Sequence, residues 1–299
     1  MYEPKKTIFA NIQLTDTAGL DPKAGAKERN RVFGIVQTVD SLLWVIGNFE
    51  GVASRPESQL EDVKSEILLR DLELVETRID RLVNAKRKLE KNEEEELEFL
   101  KDIKETYDLG NLPDPKKIEN EKKKLVSSLS LFALKPSLVL LNSDEKNFGQ
   151  EKSNFALLSK KADESGLGFL EICGKYEMEL NSLEEEEKKE FLKELGLEES
   201  GIERLSKELY NFAGLLSFFT VGKDEVRAWT VEKGSNAKEA AGKIHSDLER
   251  GFIRAEIMKY DDIIIYGSEK ELKEKGLLKV VGKEHIVEDG DIINVRFNV

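Results

Sequence analysis

The chain has 299 residues, 39% apolar and 36% charged, with a formal net charge of −13. That acidic balance excludes sequence-blind duplex binding by global charge, because nothing at long range attracts phosphate. One cysteine, Cys173, excludes an intrachain disulfide framework and a cysteine-based zinc site, and two histidines, His245 and His285, are too few for most histidine metal sites. No apolar run nears the ~20 residues of a membrane span, and Met1-Tyr-Glu-Pro-Lys-Lys6 is not a signal peptide. A cytoplasmic protein of two or three units, with no membrane partner, is expected.

In chain order, Ile12 and Leu14 predict a buried strand that ends at Asp16 and turns through Thr17-Ala-Gly19. An Asp at the carboxyl end of a strand is where nucleoside triphosphatases hold the water shell of a magnesium ion, and Gly19 would let a backbone N–H approach a terminal phosphate. Asp-x-x-Gly by itself does not separate that reading from a strand ending in a turn. Asp21 to Arg31 reads as a polar loop entering a helix whose apolar side is Val32, Phe33, Ile35, Val36 and Val39. Ser41-Leu-Leu-Trp-Val-Ile46 is a short continuous apolar run, suited to a strand covered on both faces.

From Ser58 the period changes. Leu68, Leu72, Val75, Ile79, Leu82, Lys86 and Leu89 alternate four and three apart, a heptad seam broken at Lys86. Lys91-Asn-Glu-Glu-Glu-Glu96 reads as a solvated hairpin tip, and Leu97, Leu100 and Tyr107 start a return helix. Asn111-Leu-Pro-Asp-Pro115 interrupts it, and Ile118, Leu125, Val126 and Leu129 close the excursion. Residues 58–132 are therefore expected to be a helical coiled-coil insertion in an α/β unit formed by residues 1–57 and 133–214.

Pro136-Ser-Leu-Val-Leu-Leu141 predicts a buried strand running into Asn142-Ser-Asp-Glu145, and Phe169-Leu-Glu-Ile172 a second one ending at Cys173-Gly-Lys175, with a helix near 155–165 between them. Ser182 and Glu185 have capping-box spacing before an acidic helix to Leu195, and another helix runs from about Glu199 to Gly214. Strands at Ser217–Val221 and Val226–Val231 join through Gly222-Lys-Asp224, a helix spans Ala237–Leu248, and short strands end in alternating Ile292 to Val299. Residues 215–299 therefore read as a small α+β domain of β-grasp type.

Phe218-Phe-Thr-Val-Gly-Lys-Asp-Glu-Val-Arg-Ala-Trp-Thr230, Ala240-Ala-Gly-Lys-Ile-His-Ser-Asp247, Gly251-Phe-Ile-Arg-Ala-Glu256, Asp289-Gly-Asp291 and Arg296-Phe-Asn-Val299 closely resemble the YchF or OBG-like ATPase family. The resemblance runs over nearly all of residues 182–299. It implies an α/β fold: an incomplete P-loop GTPase-like sheet with an α-helical coiled-coil insertion, plus a C-terminal TGS-like β-grasp domain. It implies nucleotide-binding residues Asp16, Gly19, Asn142, Glu145, Cys173 and Gly174, with Asp16 reaching magnesium through water once a phosphate loop is supplied. Leu20 stands where Ras-like enzymes have the glutamine that orients the attacking water. Asn142-Ser-Asp-Glu145 is similar to the family's Asn-x-x-Glu, which lacks the guanine-reading Asp and tolerates adenine. ATP, with GTP second, and Mg2+ are thus the implied cofactors, and the ribosome the implied partner. Lys243, Arg250, Arg254 and Lys259 are candidates for RNA contact, interleaved with Asp247, Glu249 and Glu256.

The family's Gly-x-x-x-x-Gly-Lys-[Ser/Thr] loop has no match in the chain. Without its Lys and its cradle of N–H groups the β- and γ-phosphates have no dedicated holder. This polypeptide is therefore expected to be an N-terminally truncated member, inactive as an ATPase as it stands, whether by a clipped gene model or a natural truncation. The missing segment would also carry the strand between Ile12–Thr15 and Leu42–Ile46, leaving two unpaired edges. The competing expectation is a non-catalytic ribosome- or protein-binding module whose nucleotide domain is only scaffold.

Overall fold

The computed structural model describes residues 4–19, 25–52, 54–149, 155–222 and 224–298. Leu20, residues 21–24 of the loop after it and Lys223 of the expected turn lie outside them. The first elements are β1 (Lys6–Ile8), α1 (Ala26–Val36), β2 (Leu42–Asn48), α2 (Pro56–Val83), α3 (Lys91–Asp108) and α4 (Asn120–Leu125). Next come β3 (Ser137–Ser143), α5 (Phe155–Glu164), β4 (Gly168–Ile172), α6 (Gly174–Leu180), α7 (Glu185–Glu194) and α8 (Gly201–Phe212). The last are β5 (Leu215–Val221), β6 (Glu225–Glu232), α9 (Ala237–Ile244), α10 (Ser246–Arg250), β7 (Phe252–Lys259), α11 (Tyr260–Tyr266), α12 (Glu269–Glu274), β8 (Lys279–Val281) and β9 (Asp291–Phe297). The chain divides into two compact units, Thr15–Ala213 and Met1–Leu14 with Gly214–Val299. The first fourteen residues thus group with the C-terminal unit, where the sequence had placed them in the nucleotide domain.

The larger unit is built on a parallel sheet in the order β2-β3-β4. Its central strand β3 buries Ser137 through Leu141 without a break, as a strand covered on both faces must. Trp44, Ile46, Val139 and Leu141 join Ile67, Val75, Leu100 and Phe132 in one core. Leu138, Leu140 and Leu170 meet Leu205 of α8 in another. Fully burying each such aliphatic side chain contributes about 1.5–3 kcal/mol, so β3 is the most firmly held strand of the unit.

The strand expected at Ile12–Thr15 does not form. Ile12 is 39% and Leu14 64% exposed, and the short strand that does form upstream, β1, pairs parallel with β6 of the C-terminal unit. An alternating apolar stretch becomes a strand only where a neighbouring ladder takes up its N–H and C=O groups. Among the described residues β2 pairs only with β3, leaving its other edge open and Val45 59% exposed.

Helices α2 and α3 form an antiparallel pair, but the turn is not where the acidic run suggested. Residues 84–90 make the connection, and Lys91–Glu96 is the first part of α3. Glu90 and Glu93 form a reciprocal capping box there, and acidic side chains are favourable at a helix N-terminus. Arg87 grips Glu93 through two bonds of 2.7 Å, and Arg78 on α2 holds Glu96 in the same way at 2.8 and 2.7 Å. At the other end of the pair, fully buried Asp71 accepts from Arg70 at 2.6 Å, Ala133 N–H at 2.8 Å and Tyr107 OH at 3.3 Å. Burial pushes the Asp71 carboxyl up, against the pull of the Ala133 N–H and Arg70.

The C-terminal unit is a six-stranded mixed sheet in the order β1-β6-β5-β9-β7-β8. Its last strand β9 lies parallel to β5, with the β5–β6 hairpin on one side and antiparallel β7 on the other, the β-grasp arrangement. Helix α9 presents Ala237 and Ala240 to Leu216, Phe218, Val231, Ile257 and Ile293. The helix expected over Ala237–Leu248 breaks at His245, whose extended backbone (φ −166°) lets its Nδ1 cap α10 by accepting the Asp247 N–H. The acidic helix α7 likewise starts from Glu184, reciprocated by Glu187, and not from Ser182, whose hydroxyl donates to the Glu179 carbonyl.

Two outcomes follow. Replacing Asp71 by Ala strands the 9%-exposed Arg70 side chain and should lower the unfolding free energy by about 3–5 kcal/mol, read from chemical denaturation. The Arg87 fork, helped by the Glu90 N–H, holds Glu93 down from 4.5 to about 2. Its contribution is therefore complete above about 4.5 and lost as pH falls through about 2. NMR titration of Glu93 should show that depressed midpoint, and Arg87→Ala should return it toward 4.5.

Candidate functional site

The carboxyl ends of β2, β3 and β4 come together on one side of the parallel sheet, the side at which open α/β sheets bind ligands. Asn142 is the penultimate residue of β3, and its Oδ1 accepts the Gly174 N–H at 3.0 Å across the gap to β4. A Cβ at position 174 would lie 3.2 Å from that oxygen, so a larger residue there would press the Asn142 side chain to give by a few tenths of an ångström. Beyond the strand ends, Lys175 pairs with Glu145 at 2.6 Å. These two links tie the Asn142–Glu145 loop to the Cys173–Lys175 loop. Cys173 itself is buried, and burial pushes its thiol up, against the neighbouring Tyr176 and Lys175 N–H groups.

A second, deeper link was not anticipated from the sequence. Asn48 at the end of β2 donates to Ser143 Oγ at 2.9 Å, and Ser143 donates to Glu171 Oε1 at 2.5 Å. The other Glu171 oxygen accepts the Gly149 N–H at 3.3 Å. Ser143 and Glu171 are 2% and 6% exposed, so one hydroxyl and one carboxylate span three strands and hold the far end of the Asp144–Gly149 loop. The legible signal was a charged residue in the otherwise apolar Phe169-Leu-Glu-Ile172. A cavity of about 380 Å3 opens beside this network, lined by Gly47, Asn48, Phe49, Asp144, Lys146 and Asn147 among others.

Asn142, Glu145, Cys173 and Gly174 are thus brought together, but with altered partners. The Gly174 N–H is directed at Asn142, where the sequence reading had it facing a base, and the Asn142 amide nitrogen is left as the donor. Asp16 and Gly19 do not join them by any hydrogen bond or ion pair among the described residues. Both are exposed in a segment without regular structure, and the space around Gly19 is open. A lone exposed carboxylate is a poor holder for magnesium, which keeps its waters and takes one or two carboxylates plus substrate phosphates. Among the described residues no group of three or more His, Cys, Asp or Glu is placed to hold a metal ion. The described residues as placed do not form a metal–phosphate centre.

Of the four basic residues proposed for RNA contact, Arg250 is paired with Asp247, and Lys259 with Glu288 and Asp291. Lys243 and Arg254 are exposed and make no ion pair among the described residues.

Glu171→Ala would strand the Ser143 hydroxyl and the Gly149 N–H. It should cost about 1–3 kcal/mol in unfolding free energy, and Glu171→Gln, which keeps an acceptor, should cost less. Denaturant titration of the two variants checks the order.

Three comparisons bear on this geometry. Residues 215–298 match the family model YchF-GTPase_C, described as "Protein of unknown function (DUF933)". The chain is 37% identical over 310 residues to the ribosome-binding ATPase YchF of Bacillus subtilis (strain 168), covering 100% of this chain and 85% of that protein. It is 32% identical over 308 residues to the protein of the same name from Escherichia coli O157:H7, with coverage of 100% and 85%. The solved structure of the Schizosaccharomyces pombe YchF GTPase superimposes with a TM-score of 0.84 at 28% identity, over 99% of this chain and 82% of that one. With full-length similarity above 30% and the same architecture, the chain belongs to the YchF family.

Proposed function

We propose that this protein is a nucleotide-binding, ribosome-associated member of its family that prefers ATP to GTP, reading the base with the Asn142–Glu145 and Cys173–Lys175 loops. The observation that carries this reading is the Asn142–Gly174 bond, which sets the two strand-end loops side by side. The Lys175–Glu145 pair supports the adenine preference. The Glu145 carboxylate is engaged by the Lys175 ammonium, so accepting from guanine would have to displace that ion pair, and the Asn142 amide still donates. The ribosome as partner and ATP as substrate come from what the relatives are called. A cytoplasmic location goes with that partner, and among the described residues no helix is long and apolar enough to cross a membrane.

When bound, magnesium would supply charge neutralisation at the β- and γ-phosphates. Nothing in Asp16 or Gly19 as placed here positions that chemistry. The exposed Asp16 favours a second reading, a non-catalytic ribosome- or protein-binding module in which the nucleotide domain is scaffold.

Equilibrium dialysis of the 299-residue chain should show ATP held more tightly than GTP, with Asn142→Ala weakening ATP by about tenfold, the loss of roughly one buried hydrogen bond. Equal retention in Asn142→Ala would sink the base-reading assignment. ATP turnover should not exceed background, and turnover abolished by Asn142→Ala would overturn that part. Co-sedimentation with ribosomes separates the readings: nucleotide alters it in the first and is without effect in the second.

A further inference from the structure

The stretch Lys122-Lys-Lys-Leu-Val-Ser-Ser-Leu-Ser130, which runs from α4 toward β3, has no part in the strand-end site. It borders a cavity of about 200 Å3 open to solvent, whose polar wall is Lys123, Ser127, Ser130 and Lys135 and whose apolar floor includes Val126 and Leu131. Lys123 is half-buried and makes no ion pair among the described residues, although Glu119 and Glu121 precede it on the same segment. A half-buried lysine without a carboxylate partner leaves its positive charge available to an anion.

Lys135 faces the same cavity. Its ammonium donates to the carbonyls of Gln37, at 3.1 Å, and Val39, which leaves one of its three hydrogens. Burial lowers its affinity for the proton, Asp40 raises it, and Arg70 lowers it again. Arg70 is itself committed to Asp71, to the Phe132 ring at 3.6 Å and to the Ser130 carbonyl at 2.8 Å. That last bond pins Ser130 in the left-handed region, φ 47°, and it is the only non-glycine residue with positive φ among those described. A serine held there costs on the order of 1–3 kcal/mol, strain that packing must offset. The Ser127 hydroxyl is taken by the Lys124 carbonyl at 2.8 Å, so Ser130 supplies the wall's hydroxyl donor.

The lining thus brings Lys123, Lys135 and the Ser130 hydroxyl to one concave, partly apolar site, with one hydrogen of the Lys135 ammonium uncommitted. A water occupies about 30 Å3 of liquid, so the cavity has room for a tetrahedral oxyanion. We propose that this pocket is a phosphate-binding site, with Lys123 and Lys135 supplying charge and the Ser130 hydroxyl orienting the oxyanion. The ligand is the phosphate group itself, free or in the backbone of an RNA. The site is independent of the purine reading at the ends of β3 and β4.

The test titrates the 299-residue chain with inorganic phosphate by calorimetry at constant ionic strength, chloride being the control anion. The same titration is run with a short oligoribonucleotide lacking terminal phosphates. Saturable phosphate binding near millimolar is expected. Lys123→Gln should weaken it by about tenfold, as for a lost charge-assisted hydrogen bond, and Lys123→Arg should largely restore it. NMR titration should show the Lys135 ammonium holding its proton to higher pH once phosphate is bound, a change that a packing role for Lys123 would not produce. Competition by the oligoribonucleotide identifies RNA backbone as the source, and phosphate uptake without competition identifies the free anion. Absence of saturable uptake, or unchanged affinity in a folded Lys123→Gln variant, overturns the proposal.

Discussion

Strand β3 is the member from which the larger unit is hung. Its five consecutive buried residues satisfy two cores at once, and that burial fixes its register against β2 and β4 residue by residue. Because the period of a strand is two, a slip of one residue would turn Leu138 and Val139 to each other's faces and expose both cores to mismatch. The position of Asn142 is therefore decided by Leu138 to Leu141, several residues before any functional atom is reached. The Asn142–Gly174 bond, at 3.0 Å, forms where the hydrophobic register sets the two strand ends side by side.

Polar groups at those ends are arranged by depth. Ser143 and Glu171 are buried and bonded to each other and to the backbone, the condition under which a carboxylate can be withdrawn from water at all. Glu145 and Lys175 lie nearer the surface, where an exposed pair contributes about 0–1 kcal/mol and can exchange partners. Rigidity below and lability above suit loops that must be positioned before a ligand arrives and still adjust to it. Among the strand-end groups, Ser143 and Glu171 therefore belong to the scaffold, and Asn142, Glu145 and Lys175 are the ones the proposed base reading uses.

The amino-terminal segment shows the limit of local pattern. Ile12, Leu14 and Asp16 have the alternation and terminus of a nucleotide-site strand, yet the chain forms its first ladder upstream, at Lys6–Ile8 on β6. Leu14 ends up 64% exposed because no strand is available beside it. The acidic run after Lys91 misled for a related reason. Four glutamates look like a solvated turn until Arg87 and Arg78, one on the connecting turn and one on the facing helix, reach Glu93 and Glu96. Both errors concern where an element gains its partner, which is a property of the folded chain.

By itself the sequence determined the class of both units. The continuous apolar runs at Leu42–Ile46 and Leu138–Leu141 read as buried parallel strands, and the break at Asn111–Pro115 ended a helix at Asp108. Long motifs after Phe218 marked the family. The resemblance also named Asn142, Glu145, Cys173 and Gly174, which stand at the ends of strands that the apolar runs locate. Tertiary structure decided the rest: that Asn142 spends its oxygen on Gly174, that Glu171 is a buried brace, that Asp16 stands apart, and that Lys123 and Lys135 share a cavity. Period and propensity are set by neighbours a few residues away. Pairing, burial of charge and the convergence of distant side chains depend on residues tens of positions apart, which only the packed chain brings into contact.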